Sequence, residues 1–258
     1  MTYCVAILLD SGMVFASDSR TNAGVDHIST FSKMKVFERP GDRCITVMTS
    51  GNLSVTQNAI NLMEQHSRRD DPQGNVWAAA SMFDVATLLG QCLREVRERD
   101  AAYLDANNIN SSASFILGGQ IKGERMRLFH LYSEGNFIEA TPETPFFQIG
   151  ETKYGRPIID RVVTPATSLM EAAKCVLVSF DSTMRSNISV GLPIDLVWYE
   201  RDALRFGLRR RILESDAYFN MIHTRWGEGL RRVFAQLPDP TWNEENVTHN
   251  QYQGEIFK

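Results

Sequence analysis

The chain has 258 residues, 43% of them apolar, and its 27 basic and 31 acidic residues are interspersed to give a net charge of -4. That length and apolar share allow a sizeable core and exclude a disordered chain. The charge balance leaves no electrostatic footprint for nucleic acid or for an anionic membrane, so neither partner is expected.

Tyr3 to Leu9 and Met13 to Ser17 are apolar runs joined by Asp10-Ser11-Gly12, which predicts a hairpin. Both alternating faces of each run are apolar, so the sheet they enter is expected to be covered on both sides. A second pair, Met34 to Arg39 and Cys44 to Thr49, turns at Pro40-Gly41-Asp42. Ser50-Gly51-Asn52 then opens a helix with an apolar stripe of Leu53, Thr56, Ile60 and Met63. A polar connection over Arg68 to Asn75 leads to a helix from about Trp77 to Arg99. Its stripe is Phe83, Ala86, Leu89, Leu93 and Val96, and its charged end, Arg94 to Arg99, reads as a solvated face.

Strand patterns return at Ala113 to Gly118, Met126 to Tyr132, Phe137 to Ala140 and Phe146 to Ile149, with Gly119, Gly123 and Gly135 expected in turns. Helical stretches follow at about Tyr154 to Val162 and Ser168 to Met184, then a strand at Pro193 to Glu200. Alternation over Leu204 to Arg209 precedes an amphipathic helix from about Ser215 to Gln236, and the tail beyond Leu237 reads as irregular. Strands and paired helices alternate without a repeat or a linker, which predicts one α+β domain over residues 2–258.

The four cysteines are far apart, form no C-x-x-C pair and read as reduced core residues. The five histidines show no metal-ligand spacing, and no phosphate loop or G-x-S-x-G is present, so no metal and no cofactor is expected. Arg209-Arg210-Arg211 reads as salt-bridged or solvated. With no long apolar run and no signal pattern, the cytoplasm is the expected location.

Thr2 follows the initiator methionine. Removing Met1 would leave a hydroxyl nucleophile and a free α-amine on one residue, and such an amine titrates at about 7.7–8.0, close to the pH at which it must act as base. Thr2, the hairpin, Ala16 to Thr21, the lysine-bearing segment Ser32 to Phe37, and Met48-Thr49-Ser50-Gly51 ahead of a helix occur in an order that resembles the proteasome β-subunit superfamily of Ntn hydrolases. Asp18 to Asp26, Ile28 to Phe31 and Asp181 to Asn187 are similar to the bacterial group called Anbu.

The resemblance implies a four-layer αββα sandwich of two antiparallel sheets between helix layers. It also implies Thr2 as nucleophile, Asp18 as the carboxylate that orients a lysine, and Gly51 as oxyanion donor. Both Lys33 and Lys35 fit the lysine position and are expected to share strand parity; Lys33 is favoured on the Ser-Lys-Met wording. Ser189 fits the family's supporting serine. Two positions depart from the pattern: Glu151 stands where the family has serine after Gly150, and the aspartate expected before Ser189 is missing, with Asp181 a substitute only if the loop differs. The implied function is an N-terminal-threonine peptide or amide hydrolase in a homo-oligomer, a ring or an open helix, with residues 201–258 forming a contact extension. A silent assembly subunit and a non-proteolytic amidase or amide-transfer enzyme are the alternatives.

Overall fold

A computed structural model describes residues 1–22, 28–68 and 74–240. Its first elements are β1 (Tyr3–Leu9), β2 (Gly12–Asp18), β3 (Arg20–Asn22), β4 (Ile28–Thr30), β5 (Met34–Arg39) and β6 (Arg43–Gly51). Then come α1 (Leu53–His66), α2 (Met82–Ala106), β7 (Ala113–Ile121), β8 (Arg127–Leu131), β9 (Phe137–Glu139) and β10 (Phe146–Gly150). The last are α3 (Arg156–Val162), α4 (Leu169–Ser186), β11 (Ile194–Glu200), β12 (Phe206–Ile212) and α5 (Ala217–Gln236).

The strands form two five-stranded antiparallel sheets, ordered β10-β1-β2-β11-β12 and β5-β6-β7-β8-β9, beside the small β3–β4 pair. Alternation along each strand divides its side chains between two cores. Cys4 and Ala6 of β1 and Met13 and Phe15 of β2 face Met48, Ile116 and Leu128 of the opposing sheet. Their sequence neighbours Val5, Ile7, Val14 and Ala16 pack outward on α4. Ile45, Val47, Phe115 and Leu117 pack outward from the second sheet on α1 and α2. The result is the expected αββα layering, and it explains why β1 and β2 are apolar at every position.

Several boundaries differ from the sequence expectation. α2 begins at Met82, because Ser81 and Asp84 form a reciprocal capping box there, while Trp77 lies in a preceding turn whose N–H is taken by Asn75 Oδ1. Phe83 leaves the apolar stripe and stacks edge-on against Phe137 at the surface. The buried face of α1 is Val55, Thr56, Ala59 and Met63, and its N-cap is Asn52. Gly119, expected in a turn, sits inside β7 opposite Ile45. The charged stretch lies midway along α2, which runs on to Ala106, and there Arg94 and Arg97 donate to the carbonyls of Gly135 and Ser133, so that face is only partly solvated. The polar connection at 69–73, the motif residues Ala23 to Asp26 and the tail from 241 lie outside the described residues. No described helix is long and apolar enough to cross a membrane.

Gly90 of α2 fixes how closely that helix approaches the sheet: a Cβ there would sit 2.2 Å from the carbonyl oxygen of Gly135. Helix propensity alone would make Gly90→Ala stabilising by about 1 kcal/mol. The backbone contact reverses the sign, and urea unfolding of Gly90→Ala is expected to show a net loss of about 2 kcal/mol.

Candidate active site

The β1–β2 hairpin brings the two ends of the first strand pair together, so Asp18 lies beside the start of β1. The N–H of Tyr3 donates to Asp18 Oδ1 at 3.0 Å. Asp18 is fully buried, as are its neighbours Ser17 and Ser19. On the facing sheet, Lys33 stands one residue before β5, and its carbonyl accepts from the N–H of Thr49 in β6 at 2.9 Å. Its ammonium crosses the gap between sheets and donates to both Asp18 oxygens at 2.8 Å and to the Arg20 carbonyl at 2.6 Å. A further contact, at 3.4 Å, reaches the carbonyl of Met1, the acyl side of the Met1–Thr2 peptide bond.

The two lysines therefore differ. Lys33 is outside the regular strand and buried, whereas Lys35 is 44% exposed and pairs with Glu64 of α1. The Thr49 N–H bond to Lys33 continues the β5–β6 register and both lysines border one cavity, as shared parity implies, but only Lys33 reaches Asp18.

On the other side of β1, Tyr3 pairs with Gly150 of β10, and the N–H of Glu151 donates to the Thr2 carbonyl at 2.6 Å. Gly150 holds φ +85°, and a Cβ on it would lie 1.9 Å from that same carbonyl oxygen. Only glycine lets the backbone pass so near Thr2. Gly51 ends β6 at φ +101°, against the Ser112 carbonyl, immediately before the Asn52 cap of α1. A cavity of about 390 Å³ opens beside Lys33, walled by Thr49, Leu53, Gln57, Asn61 and the Lys35–Glu64 pair.

Charge is concentrated here in a buried setting. Burial pushes the Asp18 carboxyl up, and the Lys33 ammonium and the Tyr3 N–H pull it back. Burial and then Lys33 lower the proton affinity of the N-terminal amine of Met1, while Asp18 and Glu151 act in the opposite direction. Cys4 lies close by, its thiol donating to the Thr49 carbonyl at 3.6 Å, but burial pushes it far above the ordinary thiol range, so it is no competing nucleophile. All four cysteines are free and buried.

Among the described residues Ser189 makes no hydrogen bond to Thr2, Asp18 or Lys33. Its N–H donates to Asn187 Oδ1 at 3.0 Å, and Asn187 Nδ2 donates to Glu151 Oε2 at 2.8 Å, so Ser189 meets the site only through its loop. Asp181 does not take the missing aspartate's place: it faces α5 and pairs with His223 Nδ1 at 2.6 Å. Arg209, Arg210 and Arg211 are ion-paired with Glu38, Asp216 and Asp195. Among the described residues no group of three or more His, Cys, Asp or Glu could hold a metal ion. Glu151 and Asn187 are the neighbours sequence reasoning did not assign; the only signal was the departure at 151.

No family model matches the chain, and no curated protein does either. Among solved structures, Anbu (ancestral beta-subunit) from Yersinia bercovieri is 53% identical with a TM-score of 0.86, over 92% of this chain and 98% of that one. The helical assembly of the Anbu complex from Pseudomonas aeruginosa is 49% identical with a TM-score of 0.89, over 93% and 99%. Anbu from Hyphomicrobium sp. strain MC1 is 46% identical with a TM-score of 0.85, over 92% and 99%.

The Lys33–Asp18 geometry predicts an unequal pair of substitutions. Lys33→Ala would strand a buried carboxylate and cost about 3–5 kcal/mol in urea unfolding. Lys35→Ala, at an exposed pair, would cost less than about 1 kcal/mol.

Proposed function

The chain belongs to the Anbu family of proteasome-like Ntn hydrolases, and from that membership we propose that it is an N-terminal-threonine hydrolase of peptide or related amide bonds, acting after loss of Met1. The observation that carries the reading is the Lys33 ammonium, held by both Asp18 oxygens and in contact with the Met1 carbonyl at the bond to Thr2. Once Met1 is gone, the ammonium faces a threonine that bears both hydroxyl and amine.

In the proposed reaction Thr2 Oγ1 attacks the substrate carbonyl carbon and its proton passes to the α-amine. Lys33 lowers the proton affinity of the hydroxyl, and Asp18 holds Lys33 in place. The Gly51 N–H takes the oxyanion, a contribution that in such sites is about 3–4 kcal/mol. The α-ammonium so formed passes its proton to the leaving nitrogen as the C–N bond breaks, leaving a Thr2 ester that water hydrolyses. The cavity beside Lys33, with Gln57, Asn61, Lys35 and Glu64 on its wall, suits a polar substrate side chain.

A second reading, a restricted amidase or amide-transfer enzyme, is favoured by Glu151 in place of serine and by Asp181 being turned toward His223. In either case the reading puts the protein in the cytoplasm, where its four free thiols would stay reduced. It also makes it one copy in a ring or open helical homo-oligomer, as the assembly from Pseudomonas aeruginosa suggests. The contact surface would include the outer half of α5, where Leu230, Val233, Phe234 and, at the cap, Leu237 lie exposed at helical spacing. Sedimentation would then show Phe234→Asp as smaller species than the unaltered protein; an unchanged profile would remove α5 from the contact.

The nucleophile is tested by intact mass after incubation with a peptide epoxyketone. Loss of Met1 and one adduct on Thr2 are expected, with no adduct on Lys33→Ala and an undiminished adduct on Lys35→Ala. Retention of Met1, or an adduct elsewhere, would end the proposal.

A further inference from the structure

We propose that the Lys35–Glu64 ion pair determines specificity in the cavity beside Lys33, selecting a glutamine side chain on the acyl side of the cleaved bond. The inference rests on the threonine-nucleophile reading and narrows the substrate to one class of residue. Lys35 is the second lysine of the segment that resembles the family, and the proposed catalysis has no role for it. It lines the same cavity as Lys33 from two positions further along the strand, which puts it roughly 7 Å from the catalytic end. The facing wall is one side of α1, where Leu53, Gln57, Asn61 and Glu64 recur at helical spacing. Glu64 pairs with Lys35 across that wall, and the Phe37 ring lies 5.9 Å from the same ammonium.

The chemistry of this wall favours one kind of side chain. An ammonium only donates hydrogen bonds and a carboxylate only accepts them, so a paired Lys35 and Glu64 still offer spare donors beside spare acceptors. A primary amide matches both at once: its NH2 donates to Glu64, its carbonyl accepts from Lys35, and the ion pair stays intact. A carboxylate or a guanidinium in that place would meet a like charge and compete with the existing partner. An aliphatic side chain would take water from the pair and return no hydrogen bond. It would do the same to Gln57 and Asn61, whose side-chain amides bond to no other group among the described residues. Length separates the two amides: Lys33 is held on Asp18 at the catalytic end, and the longer glutamine reaches the pair from there while asparagine stops short. Both charges are partly exposed, at 44% and 28%, so the selectivity is moderate.

Binding is measured by isothermal titration of the full-length protein with acetyl-Ala-Ala tripeptide methylamides whose third residue is Gln, Asn, Glu, Arg or Leu. The glutamine peptide is expected to bind about tenfold more tightly than each of the others, the scale of one hydrogen bond to a charged group. Lys35→Met frees Glu64 and is expected to move the preference to arginine; Glu64→Gln frees Lys35 and is expected to move it to glutamate. Opposite shifts from two substitutions at one exposed contact separate a specificity role from a structural one. A leucine preference, equal affinities, no measurable binding, or one unchanged preference in both variants overturns the inference. The predicted order in a protein whose Thr2 takes no epoxyketone adduct leaves the inference standing and removes the nucleophile reading; an adduct on Thr2 without that order does the reverse.

Discussion

The buried ion pair between Lys33 and Asp18 is the constraint to which the rest of this end of the molecule conforms. Asp18 ends a strand of one sheet, and Lys33 precedes a strand of the other, so the bond between them is also a tie between layers. Burying two charges is poor value as stabilisation, since a well-packed apolar pair of the same volume is often as good or better. Such a pair in a site that also contains the chain terminus is more readily understood as a chemical device than as a strut. Backbone groups complete it: Tyr3 N–H on Asp18, and the Arg20 and Met1 carbonyls on the ammonium.

The second feature is the position of β1. It is an interior strand, held between β10 and β2, so the residue before it has a fixed address. Thr2 inherits that address through one hydrogen bond from Glu151, and Gly150 permits the approach. A terminus on an edge strand would lack this restraint. The proposed chemistry thus depends on the fold through backbone geometry as much as through side chains.

Much of this was legible in the sequence because it is local or periodic. Hairpin turns, the double apolar faces of β1 and β2, and capping residues all act within a few positions, and the family order of Thr2, Asp18, a lysine and Gly51 is linear. What escaped is long-range. Wording alone favours Lys33 over Lys35, and only the contact between sheets separates two residues of one parity. Phe83 looked like core because the helical stripe includes it, yet it finds its partner in Phe137, over fifty positions on. Asp181 was near the right place in the chain, but α4 turns it toward α5 and His223. Glu151 registered as a mismatch with the family, and only its bonds to Thr2 and Asn187 give that mismatch a physical reading.

The account makes the amine and hydroxyl of one residue act together beside Lys33. A crystal structure of the purified protein after reaction with a peptide epoxyketone tests that directly. The account predicts no Met1, a ring closed through both Oγ1 and the nitrogen of Thr2, and the Lys33 ammonium still on Asp18. Density for an intact Met1–Thr2 peptide with its carbonyl on Lys33, and no probe on Thr2, would contradict it.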